Sequence, residues 1–586
     1  MRVRALGQVA ICAALLSAVT GAGTATGQIT FPANDLQPAL ALTGIPTPLM
    51  VPEQMNPEPA VVPSPRADCG PGSRPLGGMQ GRVPASAVDS PQAAQGWTCN
   101  TSVVGHYGSM PGGFRTWRYV DPAGHVCAYY DTSLQSPLSI VRLAGGPSPG
   151  VAVLDMSDPA HPVRTAMLTD IVMSAPHESL NVNAKRGLLA ADMGNASVLP
   201  GLMSIYSLSQ DCRHPVLDAT YLASRFGHES GFSPDGRTFW IGGIDDVAAV
   251  DVTDPKHPHT IWQANEFVHG LNISDDGNRA YLADPVTAGL TILNTSQVQA
   301  RVPSPIVSEV SRLTWGNVSI PQNTAPMTID GKRYLLEFDE FALRLGGGIS
   351  PLNTVGGARI IDLSDETHPK VVSNIRLEVN QPAEHSEAQG DPQSFPSTLT
   401  TYAAHYCAIP REVDPEIVAC SFINSGLRIF NIQDPLHPRE VAYYISPPTG
   451  SPSVPLSKPA DLAVSMPSFD PGRGDVWYTD AVTGFYAIHL DNNVWPHPTA
   501  ISSCATRPSL LLHLNTHGHR IRSLRVTVDG HRVAAVRRVG KRGVRVPLTG
   551  RTSGRYVLRV QARLANGSVI RTTRRPPACG HAKSPV

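Results

Sequence analysis

Four of the twenty histidines stand at the head of recurring hairpin-like segments: His177 and His228, each followed by Glu-Ser, His269 in His-Gly-Leu, and His405 in His-Tyr-Cys. His228 and His269 precede the glycine of a turn by eight residues, and Asn323 holds the same place in the next segment. If the strands that follow line one channel, imidazoles at equivalent positions converge at its end. Neutral imidazole is a good ligand for zinc, copper or iron. Glu178 and Glu229, each directly after a histidine, are placed to orient the rings or to act as a base. A simpler role competes: each histidine hydrogen-bonds the backbone where its strand enters the channel, a feature copied by duplication. No HExxH and no His-Cys cluster supports the metal, and the sequence alone favours the simpler role.

Other patterns carry less chemistry. His161, His214, His257, His368, His437 and His497 lie in His-Pro turns, where Asp-Pro-x-His-Pro caps and ends a strand. Six such sites spread around a ring cannot converge. The run Gly346 to Gly348 lacks the Lys-Ser/Thr of a phosphate loop, and no GxSxG is present. The SPDG and SDDG segments have too few carboxylates for calcium and read as hairpin turns. Asp339 and Glu340 are adjacent in a strand and so face opposite ways.

The elements that must position the histidines form an internal repeat. GVAVLDMSDPAHP from Gly150 recurs as LMSIYSLSQDCRHP from Leu202, DVAAVDVTDPKHP from Asp246, GARIIDLSDETHP from Gly357 and GLRIFNIQDPLHP from Gly426. Weaker copies start at Gly289 and Gly484, making seven. Each copy opens as an alternating strand, expected to be half-buried, reaches a polar residue (Asp155, Ser207, Asp251, Asn294, Asp362, Asn431, His489), and in most copies breaks at proline. Between copies lie strand, Asp-Gly turn, strand, so each unit supplies three or four antiparallel strands. Seven such units predict an all-β chain: a seven-bladed β-propeller, with an open solenoid as the lesser alternative.

The segments GVAVLDMSDPAHP, VAAVDVTDPKHP, RIIDLSDETHP and GLRIFNIQDPLHP resemble LVIVD repeats, found in exported bacterial propeller proteins. The resemblance covers roughly Thr116 to Asp491. It implies the fold and no particular activity. The second, fourth and seventh copies depart from it, with Ser207, Asn294 and His489 in place of Asp.

The flanks differ from the repeats. Residues 1–27 carry Arg2 and Arg4, an apolar run and small residues, which predicts a signal peptide and a secreted protein. No stretch is long enough for a membrane helix. Residues 28–98 are rich in Pro, Ala and Gly and read as a linker or strap, ahead of the repeat domain at 99–498. The stretch from Arg376 to Thr401 reads as a long loop. Residues 499–586 hold eighteen Lys plus Arg against Asp529 alone, about +17, which leaves about −17 on the rest of a chain that is neutral overall. Their alternating patches predict a small, basic, Ig-like β-sandwich.

Past Cys12 there are eight cysteines, an even count expected to form disulfides in an oxidising compartment. Cys407 and Cys420 stand on strands joined by a turn and should face one another. Cys504 and Cys579 bracket the basic domain and are expected to staple it. Cys69, Cys99, Cys127 and Cys212 pair in one of three ways, which stay open.

These features point to a secreted, monomeric binding or scaffold protein. Its propeller would present a ligand or protein site and its basic domain would attach to an anionic wall polymer, lipid surface or extracellular nucleic acid, the last disfavoured because Tyr556 is the domain's one aromatic for stacking. Docking of the basic domain on the acidic repeats competes with attachment. The alternative function is a metal-dependent extracellular oxidoreductase or hydrolase built on the histidines.

Overall fold

A computed structural model describes residues 59–574 except 133–149, 195–199, 244–245, 267, 285–288, 316–319, 342–355, 385–386, 388–401, 451–458, 496–508, 514–518, 529–530, 534–536, 540–542 and 548–556. The expected signal peptide, His497, Cys504 and Cys579 lie outside the described residues, as does most of the expected loop between Arg376 and Thr401. The chain divides into two compact units, Met1–Asp470 with Asp475–Trp495, and Pro471–Gly474 with Pro496–Val586.

Among its described residues the larger unit holds seven antiparallel sheets, six of four strands and one of five. Their third strands are Val151–Asp155, Gly201–Ser207, Asp246–Asp251, Gly289–Asn294, Ala358–Asp362, Gly426–Asn431 and Gly484–Leu490. These are the seven repeat copies. Their first strands, from Thr116–Val120 through Asn181–Asn183 to Ser468–Asp470, follow one another around a ring. The sheet that ends the ring is completed by an early strand, Thr101–Tyr107, paired with Gly484–Leu490. This is the β-propeller arrangement.

The repeat strands are buried on both faces, not on one as their alternation suggests: Val151, Ala152, Val153 and Leu154 are all fully inaccessible. The reason is the ring. Val151 and Val153 pack on the next sheet with Leu189 and Ala191, whereas Ala152 and Leu154 pack on the preceding one with Trp477 and Phe485. Alternate side chains of one strand thus serve two neighbours, and apolar clusters fill each gap, including that between the last sheet and the first.

In five of the seven copies the polar residue ending the repeat strand works as a cap. Asp155, Asp251, Asn294, Asp362 and Asn431 each accept a hydrogen bond from the backbone N–H two residues on. In the turn that follows, His161, His257, His368 and His437 each donate from Nδ1 to the Asp three residues before, at 2.8–3.1 Å and in solvent. They are turn residues.

Residues 59–96 lie against the sheets as a strap. Gln80 donates to Glu440 at 2.9 Å, the Ser64 backbone N–H reaches Arg376 O at 2.8 Å, and Trp97–Cys99 becomes the fifth strand beside Arg439–Ile445. Disulfides join Cys69 to Cys99, Cys127 to Cys212 and Cys407 to Cys420. The second links the first sheet to the loop after the third strand of the second, across 85 residues. Replacing both Cys127 and Cys212 by Ser is expected to lower unfolding free energy by about 4 kcal/mol through loop entropy, read as a fall in denaturant midpoint.

One buried carboxyl sets a pH dependence. Asp461 is 1 % exposed and, among the described residues, neither of its oxygens has a hydrogen-bond partner. Burial, with Asp480 adding repulsion, pushes it up to about 8. Its folded form therefore holds a proton that the unfolded chain releases near pH 4, so stability is lost as pH rises from about 4 to about 8. Asp461→Asn is expected to remove that loss and to be the more stable form at pH 9 by a few kcal/mol, on the order set by that shift. Thermal midpoints of both proteins at pH 5 and pH 9 check it.

The smaller unit has two antiparallel sheets, one of Ser509–His513, Gly543–Pro547 and Arg537–Val539, the other of His531–Arg532, Ile521–Val528, Leu558–Leu564 and Val569–Arg574. Val546 of the first sheet shares a core with Val526, Val560 and Ala562 of the second. Among the described residues no helix is long and apolar enough to cross a membrane.

Candidate metal centre

His228, His269 and His405 head the first strands of consecutive or nearby sheets, and His177 lies in the turn before Asn181–Asn183. All four meet at one end of the ring. His228 Nε2 is 3.2 Å from His269 Nε2. The ring of His177 stacks obliquely on that of His228 at 5.0 Å between centroids. Phe114, at the corresponding place before the first sheet, closes the remaining side, edge-on to His177 at 4.6 Å and to His405 at 4.9 Å.

The carboxylate of Glu178 sits among these nitrogens. Its Oε1 is 3.1 Å from His405 Nε2, and its Oε2 is 3.2 Å from His228 Nε2, 3.6 Å from His177 Nε2 and 3.9 Å from His269 Nε2. Glu178 Oε2 and His177 Nδ1 are buried without a hydrogen-bond partner among the described residues. Such orphaned groups are costly and call for a ligand or functional role. His177 also holds a backbone φ of +52°, a region that disfavours a residue with a Cβ and marks strain kept for a purpose.

The outer nitrogens explain how the rings are held. His228 Nδ1 bonds Gly194 O at 2.9 Å, His269 Nδ1 bonds Gln322 O at 3.2 Å and His405 Nδ1 bonds Val464 O at 2.6 Å. The backbone contacts expected of strand-entry histidines are therefore present, and they are also what fixes a metal-binding tautomer: the proton stays on Nδ1 and the Nε2 lone pairs turn inward. The two roles considered from the sequence are compatible.

His228 Nε2, His269 Nε2 and Glu178 Oε2 form a triangle with sides of 3.2, 3.2 and 3.9 Å. A point about 2.0 Å from all three exists, which is the length of a zinc–imidazole or zinc–carboxylate bond. His177, Glu178 and His228 form a second group of ligand atoms close enough to share an ion, and Glu178, Glu340 and His405 a third.

Around this set lies a charged shell. Glu229 accepts from Arg115 and from Asn323, and its other oxygen, Oε2, is 3.6 Å from His269 Nδ1. Gly270 makes room for it: a Cβ there would stand 1.9 Å from Glu229 Oε2. Arg115 lies 4.7 Å over the ring of Tyr406, whose hydroxyl accepts from Gln322 at 2.7 Å. Glu340 Oε2 is 3.3 Å from His269 Nε2, while Asp339 turns the other way onto buried Arg359. Asn323 thus serves Glu229 rather than the ring of nitrogens.

Three carboxylates against one guanidinium leave the cluster two positive charges short. With protein groups alone, protons supply them. Burial opposes a charge on His269, but Glu229 and Glu340 outweigh it and hold the ring well above the ordinary imidazole range. Burial likewise opposes a charge on His405, and Glu178 raises it. Burial disfavours the charge on Glu178 too, yet His177, His228 and His405 hold it well below the ordinary carboxylate range. His177, buried beside the other rings, is pushed down to about 3 and stays neutral. A divalent cation matches the same deficit.

No family model matches the sequence, and neither does any curated protein. Solved structures do. A putative 6-phosphogluconolactonase from Bacteroides uniformis is 13 % identical with a TM-score of 0.37, covering 56 % of this chain and 85 % of its own. The Myceliophteria thermophila Cps50 (Swd1) β-propeller domain is 13 % identical with a TM-score of 0.40, covering 65 % and 98 %. Hydrazine synthase of Kuenenia stuttgartiensis is 10 % identical, also at 0.40, covering 65 % and 97 %. Likenesses this distant decide nothing about the site.

Sequence reasoning named the four histidines, Glu178 and Glu229. It passed over Phe114, Arg115 and Tyr406, and it weighed Glu340 only as a pair with Asp339, which it set aside. The signal for Phe114-Arg115 and His405-Tyr406 was available, because both pairs sit where His177-Glu178 and His228-Glu229 sit in their own sheets.

A second trio, Asp121, His125 and Asp211, has ligand atoms near one another. Asp211 is taken by Arg213 at 2.8 and 2.9 Å, and Asp121 by His125 and by backbone N–H groups. These bonds tie both carboxylates and His125 Nδ1 to protein partners.

Proposed function

We propose that the protein is an exported, seven-bladed propeller enzyme whose active site is a transition-metal centre on His177, His228, His269, His405 and Glu178. The observation that carries this is the convergence of Nε2 atoms on a buried carboxylate oxygen that has no hydrogen-bond partner among the described residues, with the separations that ligands of one ion have. Imidazole-rich sets with a carboxylate suit zinc, copper and iron. Zinc would supply an activated water for hydrolysis, with Glu340 beside the ligand set as a candidate base. Iron or copper would supply redox chemistry instead. The seven sheets correspond to blades, and the repeats' resemblance to LVIVD propellers agrees with that count. Three disulfides and the leader-like residues 1–27 support export. The smaller unit supports a separate attachment role and is read as the Ig-like sandwich.

The test is elemental analysis of the purified protein, followed by chelation and titration with Zn²⁺, Fe²⁺ and Cu²⁺. About one transition-metal ion per chain is expected, and its identity separates hydrolysis from oxidation. No metal as purified together with no saturable site on titration would leave the propeller as a binding scaffold.

A further inference from the structure

The four-stranded sheet of the smaller unit has two unlike faces. Along Leu558–Leu564 burial alternates at every residue: Leu558, Val560, Ala562 and Leu564 face the core, and Arg559, Gln561 and Arg563 face out. Residues paired across antiparallel strands share a face. Arg559 pairs with Thr527 and Thr573, Gln561 with Arg525 and Arg571, and Arg563 with Ser523 and Val569. Arg532 pairs with Thr527. Arg525, Arg532, Arg559, Arg563 and Arg571 are all exposed and therefore lie on one surface.

None of these arginines is opposite another. Each has Thr, Gln, Ser or Val as its direct partner, which avoids the repulsion of like charges paired across strands. Arg525, Arg559, Arg563 and Arg571 instead occupy the corners of a lozenge centred on Gln561, with diagonal neighbours about 7–8 Å apart. Asp529 is the only acid between 499 and 586, and sixteen of the eighteen basic residues there are arginine. Arginine's planar fork pairs bidentately with phosphate oxygens, which lysine's point charge does not. Spread over three strands, the four positions let each guanidinium meet a separate phosphate of one chain of repeated anions. Tyr556 is the only Phe, Trp or Tyr in the same span, so nucleobases find no stacking platform.

We propose that this face binds a linear phosphate polymer through its repeated phosphate groups. The occupant is the polyol-phosphate chain of a cell wall, the repeated-phosphate polymer that a chain with the leader-like residues 1–27 meets outside the membrane; this deepens the attachment role proposed for the smaller unit. The site is independent of the metal centre.

The test uses the full-length protein and end-labelled long-chain polyphosphate, followed by fluorescence anisotropy. Binding is expected at 50 mM NaCl and about 50-fold weaker binding at 200 mM, as four phosphate contacts imply. Replacing Arg525, Arg559, Arg563 and Arg571 together by Gln is expected to weaken binding at least 30-fold with an unchanged thermal midpoint. Replacement of the four by Lys is expected to give an intermediate, roughly fivefold loss. Glycerol-phosphate polymer is expected to compete at equal phosphate concentration; its failure to compete would assign the face to polyphosphate and overturn the wall polymer as occupant. The proposal is overturned by an absence of binding at 50 mM NaCl, by a Gln variant within twofold of the parent, or by stronger competition from polygalacturonate than from either phosphate polymer. A Gln variant that binds weakly but melts lower would show that these arginines dock within the chain, and would also overturn it.

Discussion

A chain carrying both His228→Ala and His269→Ala is expected to fold normally and to lose its metal. The two rings supply the closest pair of inward nitrogens, 3.2 Å apart. Loss of one outer-shell partner of a ligand commonly costs about 10–100-fold in affinity, so loss of two ligands should exceed about 1,000-fold. Metal content should fall from near one to below a tenth per chain at micromolar metal. Both rings lie at the end of the ring of sheets, outside the apolar clusters between them, so the fold should survive. His161→Ala with His257→Ala, two exposed turn histidines, should leave metal content unchanged. Equal losses in the two double variants would show that the effect is not local.

The second large effect is on stability. Arg115 and Glu229 form an ion pair with side chains only 4 % and 0 % exposed. Removing one member of a buried pair strands the other, at a cost of about 3–5 kcal/mol. Arg115→Met should therefore lower the urea midpoint sharply. Arg115→Met with Glu229→Gln should recover most of the loss, because the stranded charge is gone and Asn323 can still bond the amide. A double variant no more stable than Arg115→Met alone would mean that Arg115 acts mainly by packing on Tyr406.

Much of the fold was legible because one strand recurs seven times, in five copies with its cap. Gly150 to Pro162 announces a strand, an Asx turn and a proline stop in a form that the structure repeats with the same hydrogen bonds. Burial of that strand was misjudged because alternation reports two faces without saying that both are covered; in Val151–Asp155 the two faces meet different sheets. The Cys407–Cys420 pairing was legible from a short turn, and the structure joins the two. The partners of Cys69 and Cys127 were not, since each bridge depends on where strap and loops return.

The site was legible where a histidine marked it. Glu178 and Glu229 were found because they follow histidines, although the sequence did not place Glu178 among the ligand atoms. Glu340 was named and set aside for a physical reason. Alternation correctly put Asp339 and Glu340 on opposite faces, but only the ring of sheets makes one of those faces the site, 3.3 Å from His269. Arg115 and Tyr406 were missed because charge compensation and stacking join residues nearly three hundred positions apart.

The most direct measurement is crystal diffraction of the full-length, metal-replete protein, recorded on both sides of the absorption edge of the metal that elemental analysis finds. An anomalous peak about 2.0–2.2 Å from His228 Nε2 and His269 Nε2, with Glu178 within bonding reach, is the expected result. Density showing those two nitrogens in direct hydrogen-bond contact or bridged by a water, with the bound metal elsewhere, would contradict the assignment.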